Sequence, residues 1–237
     1  MNNSIFIQSK FDEIYAKIQQ KLKEKNSGIV EINFPVGELS NLRLCEDIHN
    51  IFNIEIIRDN LFIKCDGGEK EKIHTRLEIS FENQNQYWWT SSNTICIVKN
   101  NQYRPSVGVW FQFPTRPQKR MPIIYSCPPP NIWIEVFYNN DNDRSYVFNK
   151  INFLQQNTTG IEFVAISLSF ELDPFHSKPE TEMIVHATSQ LTQPIKAPYV
   201  CHWDLNHNEI WYKMDWNQFI ILRCGLTINF DIVLKEL

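Results

Sequence analysis

Two nearly continuous apolar segments constrain the fold of this chain more than any other feature of its sequence. Residues 131–138 read NIWIEVFY and follow three prolines, and residues 161–168 read IEFVAISL and follow a glycine. Apolar runs of this length between chain breakers are typical of central strands that are covered on both faces. Between them, Val147, Ile151 and Leu154 lie at helical spacing. Strand, helix and strand in this order predict a βαβ unit with two parallel strands and a right-handed crossover.

Periodic patterns predict further elements on both sides of this unit. Helices are expected at residues 9–25 and 69–82, where apolar residues recur every three or four positions. Residues 54–64 read as two short strands, and residues 95–111 as a β-hairpin with its turn at an Asn-Asn pair. Four short segments, YVCHWD, EIWYKM, FIILRC and INFDIVL, with turns at Asn206-His207 and Asp215-Trp216, predict a β-rich C-terminal extension. The patterns together predict an α/β fold.

We expect one domain over residues 1–237, made of three segments. Residues 1–53 form an N-terminal helical region, residues 54–170 form the core, and residues 171–237 hold an insert and the C-terminal strands. Within the last segment, residues 171–197 contain three prolines and no clear periodicity. That pattern is typical of a long surface excursion.

Charge balance and cysteine usage exclude several classes of protein. The chain has 23 Lys and Arg against 27 Asp and Glu, a net charge of −4, whereas a protein that coats nucleic acid non-specifically is basic overall. A polyanion must therefore meet a local basic patch, for which Arg116, Lys119 and Arg120 are the candidates. There is no apolar run of about 18 residues, no secretory signal and no CxxC pair. We expect an intracellular protein in a reducing compartment, with no membrane partner.

An acidic residue, Glu135, lies in the middle of the first apolar segment. Strand alternation places Trp133, Glu135 and Phe137 on one face of the strand. An unpaired carboxylate between two aromatic rings would cost several kcal/mol, so it must be protonated, ion-paired or bound to a cation. Two interpretations follow: Glu135 forms a structural pair with Arg104 or another arginine, or it is a metal ligand.

Five stretches in a fixed order carry a resemblance to a known family. They read HTRLEISF, SSNTICIVKNNQYRPSVGVW, PPPNIWIEV, DRSYVFNKI and GIEFVAI. Together they resemble the Uma2 family of restriction-endonuclease-like proteins, a branch of the PD-(D/E)XK nuclease superfamily. The resemblance covers about residues 54–170. It implies a restriction-endonuclease-like core, with a mixed β-sheet flanked by helices.

The resemblance also implies an activity, Mg²⁺- or Mn²⁺-dependent hydrolysis of phosphodiester bonds in nucleic acid, with DNA expected rather than RNA. In this family Glu135 would match the metal-binding Glu, and the carbonyl of Val136 would be a further ligand. The superfamily lysine position is occupied by Phe137, and Lys150 on the next helix resembles the lysine that replaces it. The alternative for Lys150 is a solvated helix residue. A homodimer is compatible with cutting both strands of a duplex.

One position departs from the family pattern. Ser106 stands where the family has its main metal-binding Asp, and a neutral hydroxyl is a poor ligand for Mg²⁺. A carboxylate from the helix at 69–82, Glu78 or Glu71, would partly compensate for the missing charge. We therefore predict a nuclease fold whose catalysis is weakened or lost.

Two other classes of function compete with this hypothesis. The first is a non-catalytic nucleic-acid or protein binding module on the same scaffold. Its candidate contacts are the phosphate-binding cations Arg104, Arg116, Lys119 and Arg120 and the base-stacking Trp88 and Trp89. Aromatic pairs of this kind are more often part of core or hairpin packing, which is the alternative for Trp88 and Trp89. The second class is a β-rich ligand- or carbohydrate-binding domain, which predicts antiparallel pairing throughout. Aromatic residues in the C-terminal strands suggest it: Trp203, Trp211, Tyr212 and Trp216.

Overall fold

The computed structural model describes residues 2–24, 28–65, 68–138, 141–168, 183–184, 199–213 and 219–233. The helices in these ranges are α1 (Asn2–Glu24), α2 (Leu42–His49), α3 (Gly68–Gln84), α4 (Arg116–Arg120), α5 (Asp141–Asn157) and α6 (Phe230–Val233). The strands are β1 (Gly28–Asn33), β2 (Ile54–Ile57), β3 (Asn60–Cys65), β4 (Trp89–Ser92), β5 (Cys96–Val98), β6 (Asn101–Tyr103), β7 (Val107–Trp110), β8 (Ile132–Tyr138), β9 (Glu162–Leu168), β10 (Met183–Ile184), β11 (Tyr199–Trp203), β12 (Glu209–Lys213), β13 (Phe219–Ile221) and β14 (Thr227–Asn229). No helix within these ranges has the length and apolar character to cross a membrane.

The chain divides into two compact units, each assembled from separated segments. Unit 1 consists of Met1–Asp66, Thr94–Arg104 and Pro114–Pro128, and unit 2 consists of Gly67–Asn93, Pro105–Phe113 and Pro129–Leu237. The expectation of one domain with segments ending at residues 53 and 170 stays a prediction.

Unit 1 is built on a five-stranded sheet in the order β1-β3-β2-β6-β5, with every neighbouring pair antiparallel. The predicted first helix is present as α1, and its residues Ile14 and Ile18 are buried in the core of this unit. The spacing of four residues therefore does place these side chains on one inward face. The strand pair predicted at residues 54–64 is confirmed as β2 and β3.

The hairpin predicted over residues 95–111 is wrong in its partner strand. Strand β5 turns through Lys99 and Asn100, which both have positive φ, and pairs with β6. Strand β7 instead joins the sheet of unit 2. A two-residue turn with both residues at positive φ matches the twist of antiparallel strands. This turn therefore pairs β5 with β6, the next strand, rather than with the more distant β7 that alternation suggested.

Unit 2 contains a seven-stranded sheet in the order β10-β12-β11-β9-β8-β7-β4. Strands β8 and β9 are parallel, with a register that runs from Ile132↔Glu162 to Tyr138↔Leu168, and α5 connects them. The predicted parallel βαβ unit is therefore confirmed. The other neighbouring pairs in this sheet are antiparallel, so the sheet is mixed, as expected. The parallel pair also overturns the all-antiparallel arrangement that a carbohydrate-binding domain requires.

Helices α3 and α5 cover opposite faces of the β8 strand. Leu77 of α3 packs in one cluster with Val109 and Ile134, which alternation places on the same sheet face. Lys150 of α5 contacts Glu135, which alternation places on the other face. Strand β8 is buried on both sides, and this explains why its sequence is apolar at nearly every position.

The C-terminal region follows the predicted pattern in part. Strands β11, β12 and β13 form where alternation predicted them. The last predicted strand, INFDIVL, is instead divided between the three-residue β14 and the short helix α6. Within the predicted insert at 171–197, only β10 is described, and it pairs with β12. The rest of that insert, and the turn predicted at Asp215, lie outside the described residues.

Gly108 of β7 offers a test of how tightly this sheet face is packed. A Cβ atom at Gly108 would meet two ring atoms of Trp110 at 2.6 and 2.7 Å and Cγ of Pro130 at 3.1 Å. Because overpacking a buried site costs roughly 1–3 kcal/mol, we expect Gly108→Ala to lower the free energy of unfolding by that amount in urea titrations. Gly68→Ala, where the new Cβ meets open space, is the matched control. Equal effects of the two substitutions would contradict the packing described.

Candidate functional site

Ser106 and Glu135 lie next to each other across two paired strands. Strands β7 and β8 are antiparallel with Val107 opposite Ile134, and continuing this register by one residue places Ser106 opposite Glu135. Directly opposed residues have Cβ atoms about 5 Å apart on one sheet face. The Ser106 hydroxyl accepts a hydrogen bond from the backbone N–H of Val136, with a distance of 3.0 Å. Ser106 thus satisfies a backbone donor of β8 just past the last registered pair between the two strands.

Glu135 is ion-paired, and its partner is Lys150. The Lys150 Nζ lies 2.5 Å from Glu135 Oε1, and the two side chains are 1% and 0% exposed. The indole N–H of Trp133 donates to the same oxygen at 2.7 Å. Of the two interpretations of Glu135, a buried structural pair is therefore present, although with a lysine rather than with Arg104. The alternative of a solvated Lys150 is wrong.

Aromatic rings surround the ammonium group of this pair. The Lys150 Nζ lies 5.6 Å from the ring centroid of Trp133 and 5.6 Å from that of Tyr146. A cation held over ring faces away from water is attracted by their negative electrostatic potential. The rings and the carboxylate together compensate the desolvation of the lysine, which would otherwise oppose its burial.

The two carboxylates expected to compensate for Ser106 lie on α3 and contact other groups. Glu78 accepts the backbone N–H of Ser92 at 3.2 Å, and its helix α3 packs on the sheet face opposite to Glu135. Glu71, on the same helix, is half-exposed and lies 3.8 Å from His74. Neither of these contacts involves Glu135, and the expectation that one of the two carboxylates adds charge at the site stays a prediction.

The donor set around Ser106 and Glu135 does not fit a magnesium ion. It offers one carboxylate whose charge is matched by Lys150, and one neutral hydroxyl that already accepts a backbone N–H. Mg²⁺ dehydrates reluctantly and favours carboxylate oxygens in octahedral geometry. Within the described residues, no group of three His, Cys, Asp or Glu side chains is arranged to hold a metal.

Arg104 is buried within unit 1. Its guanidinium donates to Asn53 Oδ1 at 3.0 Å, to His49 Nδ1 at 3.0 Å and to the carbonyl of His49 at 3.2 Å. Burial lowers the pKa of Arg104 to about 10, and Glu55 opposes that shift. Burial also lowers the pKa of His49, and the Arg104 charge adds to the effect. These contacts account for the burial of Arg104 without a phosphate, and the phosphate contact stays a prediction.

The other three predicted cations form an exposed patch in unit 1. Arg116, Lys119 and Arg120 are all exposed on α4. The helix begins at a capping box in which Thr115 and Gln118 bond to each other's backbone N–H. A fixed helical turn therefore presents these three charges to solvent, and we call them the α4 basic patch.

The predicted base-stacking tryptophans are packed within unit 2. Trp88 lies against Phe111 with ring centroids 4.9 Å apart, and Trp89 lies against Trp110 at 4.5 Å. Both tryptophans are half-buried. These contacts favour the packing interpretation of the pair over the stacking one.

Comparison with known proteins places the fold but not the family. No family model and no curated protein matches the chain. The crystal structure of "a putative nuclease belonging to DUF820" from Anabaena variabilis has a TM-score of 0.51 and 10% sequence identity to this chain. The match covers 76% of this chain and 88% of that one. At this identity the likeness concerns the fold alone: the chain has a mixed α/β, restriction-endonuclease-like fold, as the sequence predicted.

The buried ion pair generates a stability prediction. Removing one partner of a buried pair leaves an uncompensated charge and costs roughly 3–5 kcal/mol. We therefore expect Lys150→Met to lower the free energy of unfolding by about that amount, and Lys150→Met combined with Glu135→Gln to recover most of the loss. Urea denaturation of the single and double variants measures both effects.

The matched control is Lys21→Met, which breaks the half-exposed pair between Lys21 and Glu24. Exposed pairs contribute about 0–1 kcal/mol, so this control should change little. If Lys150→Met costs no more than Lys21→Met, Lys150 and Glu135 do not form a desolvated pair.

Proposed function

We propose that this chain is a nuclease-fold protein whose metal-dependent hydrolysis of nucleic acid is weakened or lost. The observation that carries the proposal is the buried Lys150–Glu135 pair beside the hydroxyl of Ser106. These three residues are the ones that the family resemblance assigns to the catalytic site. They lie together in the fold, but their charges and contacts favour a structural role.

Electrostatics explains why this arrangement disfavours a metal. An Asp and a Glu in this position would offer two negative charges to a divalent cation, whereas Glu135 and Lys150 sum to zero. A metal entering here would meet an ammonium 2.5 Å from its one carboxylate ligand. In a site with low dielectric, the resulting repulsion is much larger than in water. The ion would have to displace Lys150, whose burial then becomes unfavourable.

A second candidate function is a non-catalytic nucleic-acid binding module. The α4 basic patch supports it, because Arg116, Lys119 and Arg120 are exposed on one short helix. Phosphate contacts of this kind supply affinity without sequence information. Such a module requires neither a metal nor Glu135.

The first prediction concerns cleavage. We expect the unmodified chain to nick supercoiled plasmid weakly or not at all with Mg²⁺ or Mn²⁺. Ser106→Asp restores the missing ligand charge and should raise the nicking rate at least about tenfold, since one metal-binding carboxylate has a large effect on transition-state stabilisation. Ser106→Asp combined with Glu135→Gln should lose that gain.

The control for added charge is Ser40→Asp at an exposed position of unit 1, which should not change nicking. The proposal fails if the unmodified chain cleaves as fast as Ser106→Asp and Glu135→Gln abolishes both activities. Such a result would mean that the serine supports full catalysis.

The second prediction concerns binding through the α4 basic patch. Each phosphate contact contributes about 0.9 to the slope of log K against log salt. Replacing Arg116, Lys119 and Arg120 by glutamine should therefore reduce that slope by about 3 for duplex DNA, measured by fluorescence anisotropy. Arg43→Gln, at an exposed position of α2, is the single-site control. An unchanged slope in the triple variant removes the patch from any nucleic-acid interface.

A further inference from the structure

A cavity of about 410 Å³ opens in unit 2 between helix α5 and the β11–β12 hairpin. Phe148, Asn149 and Gln155 of α5 line one side of it, and Trp203 and Glu209 of the hairpin line the other. This volume lies in the range of small-molecule sites, which combine an apolar wall with a few placed polar groups. Lys150 does not line the cavity, although it belongs to the same helix.

One wall of the cavity is aromatic and held in place. Phe148 makes an edge contact with Trp203 at 5.5 Å and stacks on Trp211 at 5.8 Å with an interplanar angle of 9°. Glu209 accepts the indole N–H of Trp203 at 3.2 Å and that of Trp211 at 2.5 Å. Because one carboxylate fixes both indoles, this wall is organised before any ligand arrives. Pre-organisation of this kind lowers the entropy cost of binding a planar ring.

The cavity also contains an amide donor without an acceptor. The Gln155 Nε2 is buried and has no hydrogen-bond partner within the part of the chain that the structure describes. A buried donor left without a partner is costly, and native proteins rarely retain one without a reason. Asn149 and Asn152, on the same side, add exposed amide groups. The polar groups of the cavity therefore suit a ligand that carries hydrogen-bond acceptors and donors on its edge.

The charges in the cavity favour a neutral ligand. Arg144 and Glu209 both line the cavity and contribute one charge of each sign. A strongly anionic group would meet Glu209, and a cation would meet Arg144. A flat, uncharged ring with a polar edge could pack against the aromatic wall and form hydrogen bonds with the amides. It would also bring no charge into the cavity.

We propose that this cavity binds a single nucleobase, either of a free nucleoside or of one unpaired nucleotide in a strand. Bases have this combination of a π-face and hydrogen-bonding edges, and proteins hold isolated bases by stacking on aromatic rings and by amide contacts. The site goes beyond the proposed function, because it needs neither metal nor cleavage. It also does not use the α4 basic patch.

The test is equilibrium binding by isothermal titration calorimetry of the full chain. The probes are the four ribonucleosides, a single-stranded ten-nucleotide DNA of each base, and glucose. We expect at least one base type to bind. Gln155→Leu removes the unpaired donor and Phe148→Leu removes a ring of the wall, and each should weaken binding about tenfold or more.

The matched controls are Gln112→Leu and Phe113→Leu, which make the same changes at exposed positions of unit 2. They should leave affinity within about twofold, since neither residue lines the cavity. Cooperative thermal unfolding of each variant establishes that it is folded. Loss of binding in one folded cavity variant is sufficient, so a second variant that fails to fold does not prevent the test.

The probes distinguish a base of a free nucleoside from a base within a strand. Binding of free nucleosides with these losses indicates a nucleoside site, and binding of oligonucleotides alone with the same losses indicates that the base is taken from a strand. The proposal is overturned if no nucleoside or oligonucleotide binds, if both cavity variants bind like the controls, or if glucose binds and the bases do not.

Discussion

The buried contact between Lys150 and Glu135 is the interaction on which the interpretation of this protein depends. A carboxylate that is fully removed from water needs a compensating charge, and in this fold the charge comes from the connecting helix α5. The Trp133 indole donates to the same carboxylate, and the Tyr146 ring centroid lies 5.6 Å from the Lys150 ammonium. Because the Lys150 ammonium already neutralises Glu135, the carboxylate has little remaining attraction for a metal cation.

Topology explains how this contact arises. Because β8 and β9 are parallel, a long crossover must connect them, and α5 forms this connection across one face of β8. Alternation places Glu135 on that face, while α3 packs on the other. The structure of the Anabaena variabilis protein shares this fold at 10% identity, and a likeness at that level concerns the arrangement of helices and strands rather than the side chains on them. Fold-level likeness and catalysis are separable properties, because function depends on a few side chains placed on the scaffold.

Much of unit 2 could be predicted from the sequence, because buried parallel strands produce long apolar runs that few other elements share. The need for a partner at Glu135 also followed from its neighbours. The sequence also contained evidence for the identity of that partner. Val147, Lys150 and Leu154 are spaced by three and four residues, so they share one helix face. Lys150 was nevertheless open to interpretation as a surface residue, because lysine is usually solvated. A lysine within an apolar stripe is a candidate for a buried pair.

Other features could not be predicted because they depend on competition between distant segments. The alternating residues of β5, β6 and β7 are compatible with several pairings, and only the tight turn at Lys99 and Asn100 selects one. Glu78 has the right residue type near the right strand, but the helix face it occupies is set by the packing of Leu77 and its neighbours. The cavity beside Trp203 joins residues about 50 positions apart, and no local pattern marks it.

The central claim is that Lys150, rather than a divalent metal, neutralises Glu135. The most direct measurement is Mn²⁺ binding followed by electron paramagnetic resonance, with the unmodified chain compared with Glu135→Gln. We expect the free Mn²⁺ signal of the two proteins to be the same at millimolar metal, because Glu135 contributes no site. Stoichiometric Mn²⁺ uptake by the unmodified chain that Glu135→Gln removes would contradict the claim.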